Sequence, residues 1–349
     1  MIDIKLLEQL CLCNGISGDE GNVRNLIINE IKDCADDIKT DNLGNLIVFK
    51  KGKKSAKSKL MVSAHMDEVG LMVTDITSDG YLKFDEVGGI DRRVLPGKRV
   101  CVGRNGLNGV IGVKPIHLTN GDEKTAVPKM SDMYIDIGAE SREDALKYVN
   151  YGDGINFEGD FKINGKTVVT KALDDRFGCY VLINLIKSEP EYDMYFTFVV
   201  QEEVGLRGAR PAAFTVNPDF ALVIESTTAA DVAEVDASHQ VCNLSKGATV
   251  TVMDRATVYD KEMISAAFEL AEKNNIAVQY KRAVAGGNDS GAIHQSRGGV
   301  RTLAVSLPSR YIHAPSTAAN LDDCESVLKL AKVLSDYIAG GNLAIGKTV

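Results

Sequence analysis

The sequence predicts an α/β protein whose main domain is interrupted by a small β insert. Three observations carry this. β-forming runs alternate with helical periodicity over the first 65 residues and again after residue 170. Between them, 69–168 holds short β-like runs separated by turns, with 15 of the 32 glycines in under a third of the chain. Neither flank alone supplies a complete sheet, so 1–68 and 169–349 are expected to join in space as one domain around the insert.

The elements follow in order. Leu6, Leu7, Leu10 and Cys11 mark one face of a helix, which gives way to the turn Asn14-Gly15-Ile16-Ser17-Gly18. Val23, Leu26, Ile27 and Ile31 then recur at helical spacing. Strands at 45–49 and 60–64 flank a Lys-rich loop, 50–59, whose simplest reading is a solvated hairpin connection. In the insert, strands at 70–74, 81–84, 99–102, 109–113, 133–137 and 155–157, with a helix over 141–149, suggest a small barrel or sandwich. Beyond it come a helix over 177–186, strands at 195–200, 220–224 and 248–253, and a helix near 261–273. A strand at 300–307 precedes a closing helix over 323–338, where Val327, Leu328, Ala331, Leu334 and Ile338 form the core stripe.

Composition excludes several functions. The chain has 349 residues, 44% apolar, with 40 basic against 48 acidic side chains and a net charge of −8. That balance argues against nucleic acid, which needs a basic face. No apolar run approaches membrane-spanning length, and no secretion signal is visible at the N-terminus. Seven scattered cysteines fit reduced thiols, and the expected location is the cytoplasm. The absence of Trp weakly disfavours sugar binding.

Five places carry chemistry, each at or just beyond an expected strand end, where ligands collect in open α/β sheets. In Ala64-His65-Met66-Asp67-Glu68-Val69-Gly70 a histidine leaves a buried strand with a carboxylate two residues on. One ring nitrogen can hold a metal while Asp67 fixes the other or a neighbouring group; alone, a structural His is the plainer reading. Leu173-Asp174-Asp175-Arg176 sets two acids before a helix, where capping is the plain alternative. Glu202-Glu203 follows an apolar strand directly, and adjacent side chains diverge, so one can ligate while the other faces substrate. Glu225 ends another apolar run, and His313 sits in the Pro-bounded loop Arg310-Tyr311-Ile312-His313-Ala314-Pro315. Together they form a ligand set suited to Zn²⁺ or Co²⁺, with about the inventory two metals sharing one carboxylate require.

These motifs, with Gly286-Gly287-Asn288-Asp289-Ser290-Gly291, resemble metallopeptidase family 42, the glutamyl-aminopeptidase-like or tetrahedral aminopeptidases, some of which carry the label cellulase M. The resemblance covers essentially the whole chain. It implies a mixed-sheet dinuclear metallopeptidase domain with an inserted dimerisation module at 69–168. It also implies a site in which Asp174 bridges two divalent ions, and His65, Glu225, Glu203 and His313 complete their spheres. Glu202 would be the general base, and Asp67 would orient the site. The Asp-x-x-x-Gly spacing of related peptidases favours Asp174 over Asp175, which is left as a cap or supporting residue. Asp289 and His294 would border the site without ligating. The implied reaction is hydrolysis of the N-terminal bond of oligopeptides, in dimers that assemble into tetrahedral dodecamers. Glu225 stands where many relatives have Asp, Ala314 where Ser is common, and Asn288 where Thr is common. The metal-free carboxylates should repel one another, so their pKa values should rise.

Two rivals stand beside this reading. An amidase or deacylase could use the same two metals on an acylated small molecule. An endoglucanase-type glycosidase needs two facing carboxyl groups, which adjacent Glu202 and Glu203 supply poorly, and it leaves His65 and His313 idle.

Overall fold

The computed structural model describes residues 2–346. Its main body is a mixed eleven-stranded sheet. The sheet runs in the order Asp37–Thr40, Leu46–Lys50, Met194–Val199, Leu60–His65, Phe220–Thr228, Arg301–Arg310, Thr317–Asn320, Thr167–Thr170 and Lys162–Asn164. Ala248–Val250 and Val278–Tyr280 branch from the Arg301–Arg310 strand. The four central strands are parallel. Leu60–His65 is buried along its whole length, as its apolar run demands of a central parallel strand.

Helix Leu173–Lys187 packs on Leu60–His65 and Phe220–Thr228, with Ile4–Leu12, Gly21–Ile31 and Leu321–Ala339 beside it. Asp3 caps the first helix and Asn320 the last, each accepting a backbone N–H. The helix expected near 261–273 is Lys261–Lys273, capped by Asp260.

The expected hairpin across 50–59 does not form. Met194–Val199 lies between the two strands, antiparallel to Leu46–Lys50 and parallel to Leu60–His65. The loop lacks a tight-turn signal, and its ten residues easily span two strand spacings of about 5 Å each. The helix expected over 141–149 is one turn, Arg142–Ala145, capped by Ser141.

The insert is a closed antiparallel six-stranded barrel: Gly70–Ile76, Leu82–Val87, Tyr134–Asp136, Leu107–Gly112, Arg99–Val102 and Gly154–Phe157. It has its own core, including Leu71, Val73, Phe84, Val100, Ile135 and Ile155, separate from the core of the main body. Its last strand ends at Phe157. The expected boundary at 168/169 falls inside Thr167–Thr170, which pairs with Thr317–Asn320 in the main sheet. The two chain crossings are adjacent, because Leu71 pairs with Ile155.

All seven cysteines are free thiols. Among the described residues, no helix is long and apolar enough to cross a membrane.

Candidate metal centre

His65 closes its strand with its imidazole fully buried. Nδ1 lies 3.0 Å from the Asp67 carbonyl oxygen, so an N–H there donates to it and leaves Nε2 available as a ligand atom. That Nε2 lies 3.3 Å from Asp174 Oδ1 and 3.4 Å from Glu225 Oε1. Glu225 reaches it because its strand runs parallel to that of His65, two residues past the Val223–Ser63 pair. On the other side, His313 Nε2 lies 3.4 Å from Asp174 Oδ2 and 3.3 Å from Glu203 Oε2. Asp174 therefore turns one oxygen to each imidazole.

Asp175 faces away. Its Oδ1 accepts the Gly178 N–H at 3.0 Å, and its Oδ2 accepts the His65 N–H at 3.3 Å. It ties the helix start to the strand while Asp174 enters the site, and the peptide between them is cis.

Asp67 is fully buried and accepts three hydrogen bonds: Ser17 Oγ at 2.6 Å, Glu202 N–H at 3.0 Å and Glu203 N–H at 3.1 Å. It thus fixes the backbone of both glutamates. Below it Glu68 pairs with Lys171 at 2.8 Å and with Arg176 at 3.3 Å. The Arg176 guanidinium also donates to the carbonyls of Met66, Leu10, Cys13 and Gly15, stapling the N-terminal turn to the strand end.

Three sets of side chains bring ligand atoms within 4.8 Å of one another: His65–Asp174–Glu225, Asp174–Glu203–His313 and His65–Glu202–Glu203. Burial first, then the charge of Asp174, raises the Glu203 carboxyl to about 8, and burial chiefly raises Glu225 to about 7. Burial also holds Glu202 well above its ordinary value. Asp174 departs from the expected rise: burial would raise it, but the two imidazoles outweigh burial and lower it. Burial would lower the imidazoles, yet the facing carboxylates hold His65 well above its usual value and bring His313 to about 9.

A divalent cation fits this donor set. Imidazole nitrogens and carboxylate oxygens converge, and the buried Glu225 Oε2 has no hydrogen-bond partner. Beside these side chains opens a cavity of about 320 Å³, whose lining includes Asp174, Glu202, Glu225, Thr227, Lys281 and Gly287. The barrel reaches the centre too. A Cβ on Gly88 would lie 3.2 Å from Glu203 Cβ, and one on Gly89 would lie 3.8 Å from His313 Nδ1.

Sequence reasoning missed Ser17, read only as part of a turn, and the Glu68–Lys171–Arg176 network. The signal for the latter was opposite charges interrupting apolar runs beside proposed ligands. Asp289, expected at the border, is fully buried with neither carboxyl oxygen partnered. His294 bonds its own helix at Ser290 O.

Known proteins share this architecture. A TET aminopeptidase from Thaumarchaeota archaeon SCGC AB-539-E09 superposes with a TM-score of 0.91 at 33% identity, covering 95% of each chain. The TET1 peptidase of Pyrococcus horikoshii, which assembles into a tetrahedron or a large octahedral shell, gives 0.84 at 39% identity over 95% of this chain and 98% of its own. The lysyl aminopeptidase of Pyrococcus furiosus is 34% identical over 97% of this chain and 98% of its own length. Residues 44–330 match the family described as M42 glutamyl aminopeptidase. The chain belongs to that family of peptide-hydrolysing metalloenzymes.

Proposed function

We propose that the protein is a dinuclear metal-dependent aminopeptidase that releases N-terminal residues from oligopeptides, with Glu202 as its general base. The observation that supports this best is the shared Asp174, whose two oxygens face the His65–Glu225 and Glu203–His313 pairs separately. On this reading Asp174 bridges, His65 and Glu225 serve one ion, and Glu203 and His313 serve the other. Two divalent cations there, zinc or cobalt, would supply an acidified water and polarise the scissile carbonyl.

The remaining work belongs to the chain. Glu202 accepts the proton of the attacking water and returns it to the leaving amine. In the metal-free site burial favours its proton-bearing form, the form in which it would return a proton to the leaving amine. Asp67 orients it by accepting its N–H, and the carboxylates around the ligands offer partners for the substrate's α-ammonium.

The test is hydrolysis of aminoacyl p-nitroanilides by protein reconstituted with zinc or cobalt, together with metal analysis. Expected are about two equivalents of metal per chain, loss of activity on chelation and its return on reloading. Turnover of N-acylated substrates only would replace this reading with the deacylase one.

We further propose that the chain self-associates through its barrel into dimers and then into a tetrahedral dodecamer. Val110, Ile116 and Leu118 are exposed on the barrel, consistent with a surface covered by another copy. The free thiols suit a reducing compartment such as the cytoplasm.

A further inference from the structure

Glu202 lies just past the last pair between strands Met194–Val199 and Leu60–His65, where Val199 stands opposite His65. Sheet pairing has ended there, so the following backbone N–H groups need other acceptors. Four in succession find side chains. Val200 N–H donates to Asn45 Oδ1 at 2.9 Å and Gln201 N–H to Glu20 Oε1 at 3.2 Å. Glu202 and Glu203 donate to the two oxygens of Asp67. Asn45, Glu20 and Asp67 come from three separate parts of the chain, and all three are buried.

Glu20 stands out among them. It opens helix Gly21–Ile31 yet makes no side-chain cap bond to that helix. Its Oε1 accepts the Gly18 N–H at 2.7 Å and crosses to Gln201, 181 positions along the chain. A glutamate only 4% exposed is a costly way to serve a surface turn. Its far partner gives the burial a purpose. Gln201 has φ 57°, in the left-handed region, which a residue with a side chain keeps only where its surroundings hold it. The dihedrals of Gln201 set the direction in which Glu202 leaves the strand. The turn beneath supports both carboxylates, since Ser17 Oγ donates to Asp67 and the next residue, Gly18, to Glu20.

We propose that Glu20 is a positioning residue for catalysis: it holds the left-handed turn at Gln201 that aims the Glu202 side chain into the site. It acts on the reaction only through Glu202, and the inference rests on the reading of Glu202 as general base. Glu203 keeps its own N–H bond to Asp67 and faces His313, so the ligand sets stand without Glu20. Loss of Glu20 therefore displaces the base and spares the metals. Such a displacement slows the chemical step while substrate still binds.

The test measures kcat and KM on the aminoacyl p-nitroanilide that the metal-loaded wild type hydrolyses fastest. Glu20→Met fills the volume without an acceptor, and Glu20→Ala guards against misfit of the methionine. Glu20→Gln keeps an acceptor oxygen, and Glu202→Gln is made alone and together with Glu20→Met. Each kcat is expressed per metal-loaded chain, from elemental analysis of the folded fraction. Expected in Glu20→Met is a kcat lower by about 10–100-fold, with KM and metal content close to those of the wild type. Glu20→Gln should return kcat to within about threefold of the wild type. The double variant should be no slower than Glu202→Gln alone, because a displaced base and an absent base fail at the same step.

Multiplied losses in the double variant would mean that Glu20 acts elsewhere, and overturn the inference. Full kcat without the acceptor, lost metal, or failure of both Glu20→Met and Glu20→Ala to fold would overturn it as well; each leaves the aminopeptidase standing. Full kcat in Glu202→Gln removes the general base and this inference with it. A wild type that hydrolyses no aminoacyl anilide overturns the aminopeptidase reading itself.

Discussion

Two imidazoles and three glutamates crowded around one aspartate cannot all keep their ordinary charges in a buried site. Protons settle where the burial and the neighbours favour them: on His65 and His313, and on the glutamates raised to about 7 and about 8. Cation binding must displace those protons, since a ligating imidazole is neutral and a ligating carboxylate ionised. Each affected pKa lies above its ordinary value, so the apparent metal affinity rises with pH. The gain should run through about 7, the value of Glu225, and about 9, the value of His313, and continue until His65, also held well above its ordinary value, has lost its proton. Calorimetry at pH 7 in two buffers of different ionisation enthalpy should show roughly two or more protons released per chain on loading. Glu202→Gln should lower kcat by about 10²–10⁴-fold, with metal content by elemental analysis unchanged, because the proposed ligand pairs stay intact.

At the scale of elements, the site depends on strand ends brought level by parallel pairing and on the staple beneath them. Arg176 is wholly buried, and its loss would leave Glu68 and four carbonyls short of a partner. Arg176→Met should therefore cost roughly 3–5 kcal/mol of stability, read by denaturant unfolding of the metal-free protein. Much of this arrangement was legible beforehand. His65, Glu203 and Glu225 each follow an apolar strand-like run, and a polar group at that place is expensive unless the sheet edge uses it. A helix near 261–273 was legible from the continuing alternation of elements. Strand neighbours were not. Nothing in Leu46–Lys50 or Leu60–His65 says that Met194–Val199 will come between them, because both are apolar enough to pair with any buried strand. The hairpin Lys162–Asn164 with Thr167–Thr170 has the same short β texture as the barrel strands, so only its partner Thr317–Asn320 assigns it to the main sheet.

For the whole molecule, two cores with adjacent crossings make the barrel a unit that can carry its own contact surface. If that surface mediates self-association, charges placed on it should separate the copies without disturbing either core. The double variant Ile116→Asp/Leu118→Asp should lower the molar mass found by light scattering, while circular dichroism stays that of the parent. An unchanged mass would move the contact elsewhere on the chain.

The proposed donors are spread along the chain from His65 to His313. His65 and Glu225, on neighbouring strands, and Asp174, on the helix packed against both, therefore come together before His313 can join them. Only when the strand Arg301–Arg310 has taken its place beside Phe220–Thr228 can His313 reach Asp174. Metal capture would in that way act as a completeness check. Chains cut before residue 313 would lack the second imidazole that faces Asp174, and with it the Asp174–Glu203–His313 set.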